Sequence, residues 1–194
     1  TTIIEFERPD KASRKLLFNK IFDGLELSDA DAMFIMDSNP LVHKYLWNKP
    51  AQEIDEVIKV IEYVQRQYQE NKIGRFATII KETGEFIGWT GIKFVNDHVE
   101  NGNTNFYDYG YRLNPKFWGK GYATEASIAW LDYGFNQMNI QEMNAYTHAE
   151  NGASNRVLEK IGMTFMENYP DESGVTWKWW QLKKIEFRNQ NLEH

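Results

Sequence analysis

Two glycines bracket a single lysine at Gly119-Lys120-Gly121, and a helical pattern begins at once at Tyr122. Glycine has no Cβ, so the backbone there turns tightly and lets an oxyanion reach its N–H groups. The first turn of a helix leaves N–H groups without partners inside the helix and carries about half a unit of positive charge. Together these features make an anion site suited to a pyrophosphate. Lys116 and Lys120 could add charge to it. A bare G-x-G also serves as a plain tight loop, so the spacing alone leaves both uses open. Two other nucleotide loops are excluded. A P-loop needs G-x-x-x-x-G-K-[S/T], which is absent. A dinucleotide loop needs a third glycine where Thr124 stands.

The elements that must present this loop follow from periodicity. Lys15 to Phe22 reads as a first strand, after an irregular polar extension over Thr1 to Ser13. Ser28 is placed to cap a helix that stops near Asn39-Pro40. Ile54, Val57, Ile58, Ile61, Val64 and Tyr68 recur at spacings of three and four and predict a helix within Pro50 to Asn71. Arg75 to Lys81 and Phe86 to Val95 read as a hairpin turning at Glu82-Thr83-Gly84-Glu85. A polar loop over Asn96 to Asn105 precedes a fourth strand, Phe106 to Leu113. A helix from Tyr122 to Met138 follows, with Tyr122, Ala126, Ala129, Trp130 and Tyr133 on one face. Ile140 to His148 reads as a strand, Ser154 to Ile161 as a short helix, Met163 to Asn168 as a strand, and Val175 to Lys183 as the last strand. The order β-α-α-β-β-β-α-β-α-β-β implies one α/β (α+β) domain with a mixed, largely antiparallel sheet flanked by helices.

These residues carry a resemblance. Lys116-Phe117-Trp118-Gly119-Lys120-Gly121 is similar to the (Q/R)-x-x-G-x-(G/A) acetyl-CoA loop of the GNAT superfamily of N-acetyltransferases, with lysine in the first place. Asp108-Tyr109-Gly110-Tyr111-Arg112-Leu113-Asn114-Pro115 through Ala126 resembles that stretch in the branch holding the ribosomal-protein RimJ and RimL enzymes. A second signature of that branch, N-x-x-S-x-x-x-L-x-K-x-G-(F/M), matches Asn151 through Met163. The similarity covers residues 14–185, leaving 1–13 as an extension and Leu192-Glu193-His194 as the apparent scar of an expression tag.

The resemblance implies a GNAT-like domain whose fourth strand splays from the strand after the helix, with pantetheine in the wedge. The backbone of Tyr111, Arg112 and Leu113 would bond it. Gly119, Lys120, Gly121, Tyr122 and Ala123 would hold the pyrophosphate, and Asn151 the pantetheine arm. Taken alone, Asn151-Gly152 reads as a turn. Acetyl-CoA would be the cosubstrate, and a primary amine, on a peptide N-terminus or a small molecule, the acceptor. The amine must arrive neutral, and a carboxylate or a water chain takes its proton. The family's frequent strand glutamate is here Asp108, shorter by one methylene. Its frequent tyrosine on the short helix is here Leu158, so Ser154 inherits protonation of the departing thiolate. As the first residue of the expected helix, Ser154 could equally be a cap. A non-catalytic acetyl-CoA-binding or sensor module of the same fold is the rival.

The rest of the chain narrows the field. It has no cysteine, hence no disulfide, thiolate nucleophile or cysteine-ligated zinc. His43, His98 and His148 are too scattered to suggest a metal site. A net charge of −6 argues against a nucleic-acid partner. No apolar run is long enough to span a membrane. Trp177, Trp179 and Trp180 are expected to pack in the sheet rather than stack on a ligand. A cytoplasmic protein, as monomer or homodimer, is the simplest expectation.

Overall fold

A computed structural model describes residues 24–192, preceded by the backbone of two short strands, Ile4–Glu5 (β1) and Leu16–Phe18 (β2). The helices are Ala30–Asp37 (α1), Pro40–His43 (α2), Ile54–Asn71 (α3), Tyr122–Asp132 (α4), Gly152–Lys160 (α5) and Lys184–Leu192 (α6). The strands are Arg75–Ile80 (β3), Phe86–Val95 (β4), Phe106–Leu113 (β5), Glu142–His148 (β6), Thr164–Pro170 (β7) and Thr176–Lys183 (β8). The expected class, a mixed and mostly antiparallel sheet flanked by helices, is the one observed. The chain forms two compact units, Thr1–Gly91 with Tyr111–Ala126, and Ile92–Gly110 with Ser127–His194.

In the first unit the strands run in the order β1-β2-β3-β4-β5. Its β1–β2, β2–β3 and β3–β4 pairs are antiparallel, with Ala77 opposite Trp89. Helix α3 starts at a reciprocal cap: Glu53 accepts from the backbone of Glu56, and Glu56 accepts from the backbone of Glu53. It ends at Lys72 in the left-handed conformation. Its apolar stripe is buried as the spacing requires: Val57, Ile61 and Val64 join Leu25, Met33 and Ala77 in one core, with Ile54, Ile58 and Tyr68 packed against it. The Tyr68 hydroxyl accepts from the Leu25 amide at 2.9 Å and donates to the Arg75 carbonyl. Burial raises the Tyr68 pKa, so the phenol keeps its proton for that second bond.

In the second unit the order is β4-β5-β6-β8-β7. Strands β5 and β6 run parallel, with Asp108 opposite Asn144. Strand β8 lies antiparallel between β6 and β7, Trp180 facing Ala145 and Trp177 facing Tyr169. Val95, Phe106, Tyr169, Trp177 and Trp179 form one core. Trp180 is also buried. The three tryptophans thus pack as expected.

Several boundaries differ from expectation, each for a local reason. Ile4–Glu5 pairs with β2, so the first residues are not wholly irregular. Outside Leu16–Phe18, the rest of the expected first strand lies beyond the described residues. Ser28 does not cap α1. It sits inside a 3-10 turn, Leu27–Asp29, where Glu26 and Asp29 form the reciprocal cap. Pro40 does not only end a helix but opens α2 at its first position, where a missing N–H costs nothing, with Asn39 accepting from Leu41. The helix expected to Met138 gives way after Asp132 to a wider turn, Tyr133–Gln137. A Cβ at Gly134 in that turn would lie 2.7 Å from Met143 and 2.8 Å from Ile92. Helix α6 has no counterpart in the sequence reading; Phe187 anchors it, its ring 5.0 Å from that of Phe135. It takes in Leu192, while Glu193 and His194 lie outside the described residues.

At Gly88 in β4 the backbone adopts φ +147°, and a Cβ there would lie 2.1 Å from the Arg112 carbonyl oxygen. No side chain fits without moving β5. Gly88→Ala is therefore expected to cost about 2–4 kcal/mol, a Tm loss of roughly 5–15 °C for a chain of this size. At Gly84, φ is +70° but a Cβ would meet nothing within 4 Å. Gly84→Ala should cost only about 1 kcal/mol, the left-handed strain alone. Equal Tm losses in thermal melts would refute the close approach.

Candidate active site

In the first unit, the phosphate-loop residues lie on one unbroken path. Strand β5 ends with Tyr111, Arg112 and Leu113. Asn114 then caps a 3-10 turn over Pro115–Phe117 by accepting from the Lys116 amide at 3.1 Å. The Asn114 amide donates to Ile87 at 2.9 Å, closing the end of β4 against β5. Gly119 follows at φ +70° and Gly121 at φ +88°. Both values lie in the region where glycine alone is unstrained. A Cβ at Gly119 would meet nothing within 4 Å, so the loop turns beside open space rather than packed atoms. The Gly121 carbonyl accepts from the Glu125 amide at 3.0 Å, the first bond of α4. Two left-handed turns, open space and a helix start together fit an anionic group, and the pyrophosphate of acetyl-CoA is one.

The two lysines of this loop are not equivalent. Lys116 Nζ donates to Glu85 at 2.6 Å, so its charge is already matched. Lys120 lies with its Nζ 5.5 Å from the Phe117 ring and bonds to no carboxylate among the described residues. Lys116 and Lys120 both flank that ring, Lys116 at 5.3 Å.

The Arg112 side chain is committed elsewhere in the same unit. Its Nη1 donates to Asp37 at 3.0 Å, and its guanidinium lies 5.0 Å from the Trp89 ring. His43 Nε2 stands 3.8 Å from the same Asp37 oxygen. Burial, then the Arg112 charge, push the His43 pKa below its ordinary value, against the pull of Asp37. Asp37 and His43 gave no signal in the sequence, since a lone Asp and a lone His on short helices carry no motif. The Arg112 side chain is thus engaged within the unit, although its Nε has no hydrogen-bond partner among the described residues.

The second unit holds Asp108, Asn151 and Ser154. Asp108 is buried, with 3% of its surface exposed, on β5 opposite Asn144. Asn151 caps α5, its Oδ1 accepting from the Ser154 amide at 3.2 Å. The helix thus begins at Gly152, two residues before expectation, and Ser154 is its third residue rather than its cap. With one carbonyl bond made, the Asn151 amide keeps two N–H donors. Leu158, in the place of the family's tyrosine, is buried as an apolar core residue.

Sequence reasoning passed over two polar residues that fix this helix. Thr147 Oγ1 donates to Asn155 Oδ1 at 2.6 Å and accepts from Trp180 Nε1 at 3.0 Å. The Asn155 amide donates in turn to the Ala149 carbonyl at 3.0 Å. This buried chain ties β8, β6 and the start of α5. A second tie runs from the Tyr169 hydroxyl to Glu100 at 2.6 Å. Burial first, then that contact with Glu100, raise the Tyr169 pKa, so the phenol stays a donor at neutral pH. His148 accepts from the Glu150 amide at 3.1 Å, with its ring 5.8 Å from Trp177.

Comparison with known proteins agrees with this geometry. Residues 21–164 match the model of the acetyltransferase (GNAT) domain. An uncharacterized N-acetyltransferase, p20, of Bacillus licheniformis is 34% identical over 137 residues, covering 71% of this chain and 74% of its own. The crystal structure of a GNAT-family acetyltransferase from Bacillus anthracis superposes with a TM-score of 0.70 at 27% identity, over 90% of this chain and 98% of that one. A spermidine N-acetyltransferase from Vibrio cholerae, solved with CoA and spermine, shares the fold at TM-score 0.70 and 18% identity, over 90% and 98%. The chain belongs to the GNAT family and is an N-acetyltransferase that uses acetyl-CoA as cosubstrate.

Proposed function

We propose that the chain transfers the acetyl group directly to the nitrogen of a primary amine, within a ternary complex, as an enzyme of the RimJ/RimL-like branch. The observation that carries this reading is the pair of left-handed glycines opening into α4, directly after the end of β5. In this reading the backbone of Gly119, Lys120, Gly121, Tyr122 and Ala123 holds the pyrophosphate. The backbone of Tyr111, Arg112 and Leu113 holds pantetheine, and the resemblance gives Asn151 a role toward the same arm. Lys116 takes a lesser part than Lys120, because Glu85 already neutralises it.

The chemistry is attack by a neutral amine on the thioester carbonyl carbon: a C–N bond forms, the C–S bond breaks, and one proton leaves the nitrogen. Asp108 accepts that proton, directly or through water. Ser154 gives a proton to the departing thiolate. A strand N–H stabilises the carbonyl oxygen as it gains charge. The acceptor is a peptide N-terminus or a small amine. The polyamine enzyme of the same fold supports the second, and the sequence signatures of Asp108 to Ala126 support the first.

An acceptor screen with labelled acetyl-CoA, covering N-terminal peptides and small amines, tests this directly. The product carries acetyl on nitrogen. An α-amine, with a pKa near 8, is served better near neutrality than a lysine side chain near 10.4. Label found by mass spectrometry only on a hydroxyl would refute the proposal.

The loop assignment has its own test. Acetyl-CoA at about 100 times its Kd should stabilise the wild type by roughly 2.7 kcal/mol. Gly121→Glu, which sets a side chain and a negative charge where pyrophosphate would lie, should abolish that Tm shift. Lys120→Ala should weaken acetyl-CoA binding more than Lys116→Ala does. If folded Gly121→Glu protein keeps the full shift, pyrophosphate does not bind at this loop.

The cap at Asn151 separates stability from chemistry. Asn151→Ala should cost about 1 kcal/mol of stability and weaken acetyl-CoA. Ser154→Ala should cost less stability than Asn151→Ala, because the cap is not its own, while lowering kcat at constant acetyl-CoA affinity. Wild-type kcat in Ser154→Ala, with chemistry rate-limiting, would remove Ser154 from the reaction.

A further inference from the structure

Trp118 stands directly before the glycine turn, yet nothing in the reaction uses it. It is 47% exposed, an unusual state for the largest apolar side chain. Exposure here is not looseness. The indole Nε1 donates to the Leu113 carbonyl at 2.7 Å, which pins one edge of the ring to the end of β5. No other ring or cation among the described residues lies on its face, although Phe117 beside it is flanked by Tyr122, Lys116 and Lys120. Next in the chain, Gly119 opens onto empty space. A pinned, uncovered indole beside an anion loop has the form of a stacking platform: its orientation is fixed before a ligand arrives, so little entropy is lost on binding.

We infer that Trp118 is the stacking face for the adenine of acetyl-CoA. This rests on the phosphate-loop reading. The purine is the one flat, π-bearing part of the cosubstrate. Pyrophosphate joins it to pantetheine, so a platform for it must lie within a short reach of the pyrophosphate loop, as Trp118 does. A stacked base is sequence-tolerant chemistry that asks only for an aromatic face. The hydrogen bond to Leu113 fixes the Nε1 edge of the ring at the end of β5. Lys120, bonded to no carboxylate, is the cation nearest in sequence for the phosphates of the same nucleotide.

The test compares two ligands by titration calorimetry: CoA itself, and 4′-phosphopantetheine, which keeps the free thiol and one phosphate but lacks the adenosine 3′,5′-bisphosphate part. Trp118→Ala is expected to weaken CoA about 5- to 20-fold, the lower part of the range for a stacked base, and to leave the truncated ligand within about twofold. Trp118→Phe keeps a ring but loses the N–H, and should recover most of the CoA affinity. In the wild type CoA should quench tryptophan fluorescence more than the truncated ligand does, and in Trp118→Phe that difference should vanish. The fluorescence arm decides the matter even where the alanine variant folds poorly. Equal weakening of both ligands would show Trp118 to be a strut for β5 and overturn the inference, as would unchanged CoA affinity in folded Trp118→Ala. A wild type that binds neither ligand would instead overturn the loop reading beneath it.

Discussion

The close approach of β4 to β5 at Gly88 governs the first unit. The Arg112 carbonyl oxygen occupies the space of a Cβ there, so β5 lies close against β4 just before the Gly119 loop. The loop inherits its position from that contact. The Asn114 amide bonds Ile87, Asn114 caps the turn that follows, and Trp118 returns a bond to Leu113. Each tie is local and satisfies a polar group that would otherwise be orphaned. The two left-handed glycines can then serve a ligand, because neither is needed to rescue a badly placed strand. Asp37 adds the last restraint by holding the Arg112 side chain, whose charge would be costly to bury alone.

The second unit solves a similar problem with side chains. Helix α5 is short, and a nine-residue helix is marginal without tertiary support. The chain from Trp180 through Thr147 and Asn155 to Ala149 supplies that support from β8 and β6. Asn151 satisfies one of the exposed N–H groups at the helix start. Division of labour follows. The helix is secured by Asn151, Thr147 and Asn155, and Ser154 is not its cap.

How legible this was depended on the kind of signal. Helix α3 was read correctly because its period is strong and its stripe meets one core. The loop at Gly119 was legible because glycine at positive φ has few substitutes. Boundaries set by side-chain caps were misjudged. Ser28 looked like a cap, yet Glu26 and Asp29 perform the task one turn earlier, and Ser154 lost the same role to Asn151. A serine and an asparagine cap with equal ease, so composition cannot rank them. Asp37, His43, Thr147 and Asn155 were invisible for a different reason. Their partners lie far away in the chain, and a contact such as Arg112 to Asp37, 75 residues apart, leaves no local pattern. Helix α6 was missed because a single buried phenylalanine, rather than a periodic stripe, anchors it.

The charge of the chain poses one remaining question, since a protein of net charge −6 must bind a polyanionic cosubstrate. Distance resolves it. At physiological ionic strength fields from exposed carboxylates fade over about 8 Å. In the proposed reading the loop works inside that range, through backbone N–H groups and a helix end that carry positive potential without formal charge. In the same proposal the acceptor amine sheds its proton before it reacts, a step decided by groups close to it rather than by the screened net charge. Asp108, almost wholly out of solvent, is the carboxylate to which the proposal gives this step. Cofactor binding and proton removal therefore both depend, in this proposal, on groups close to the ligand and not on the net charge of −6.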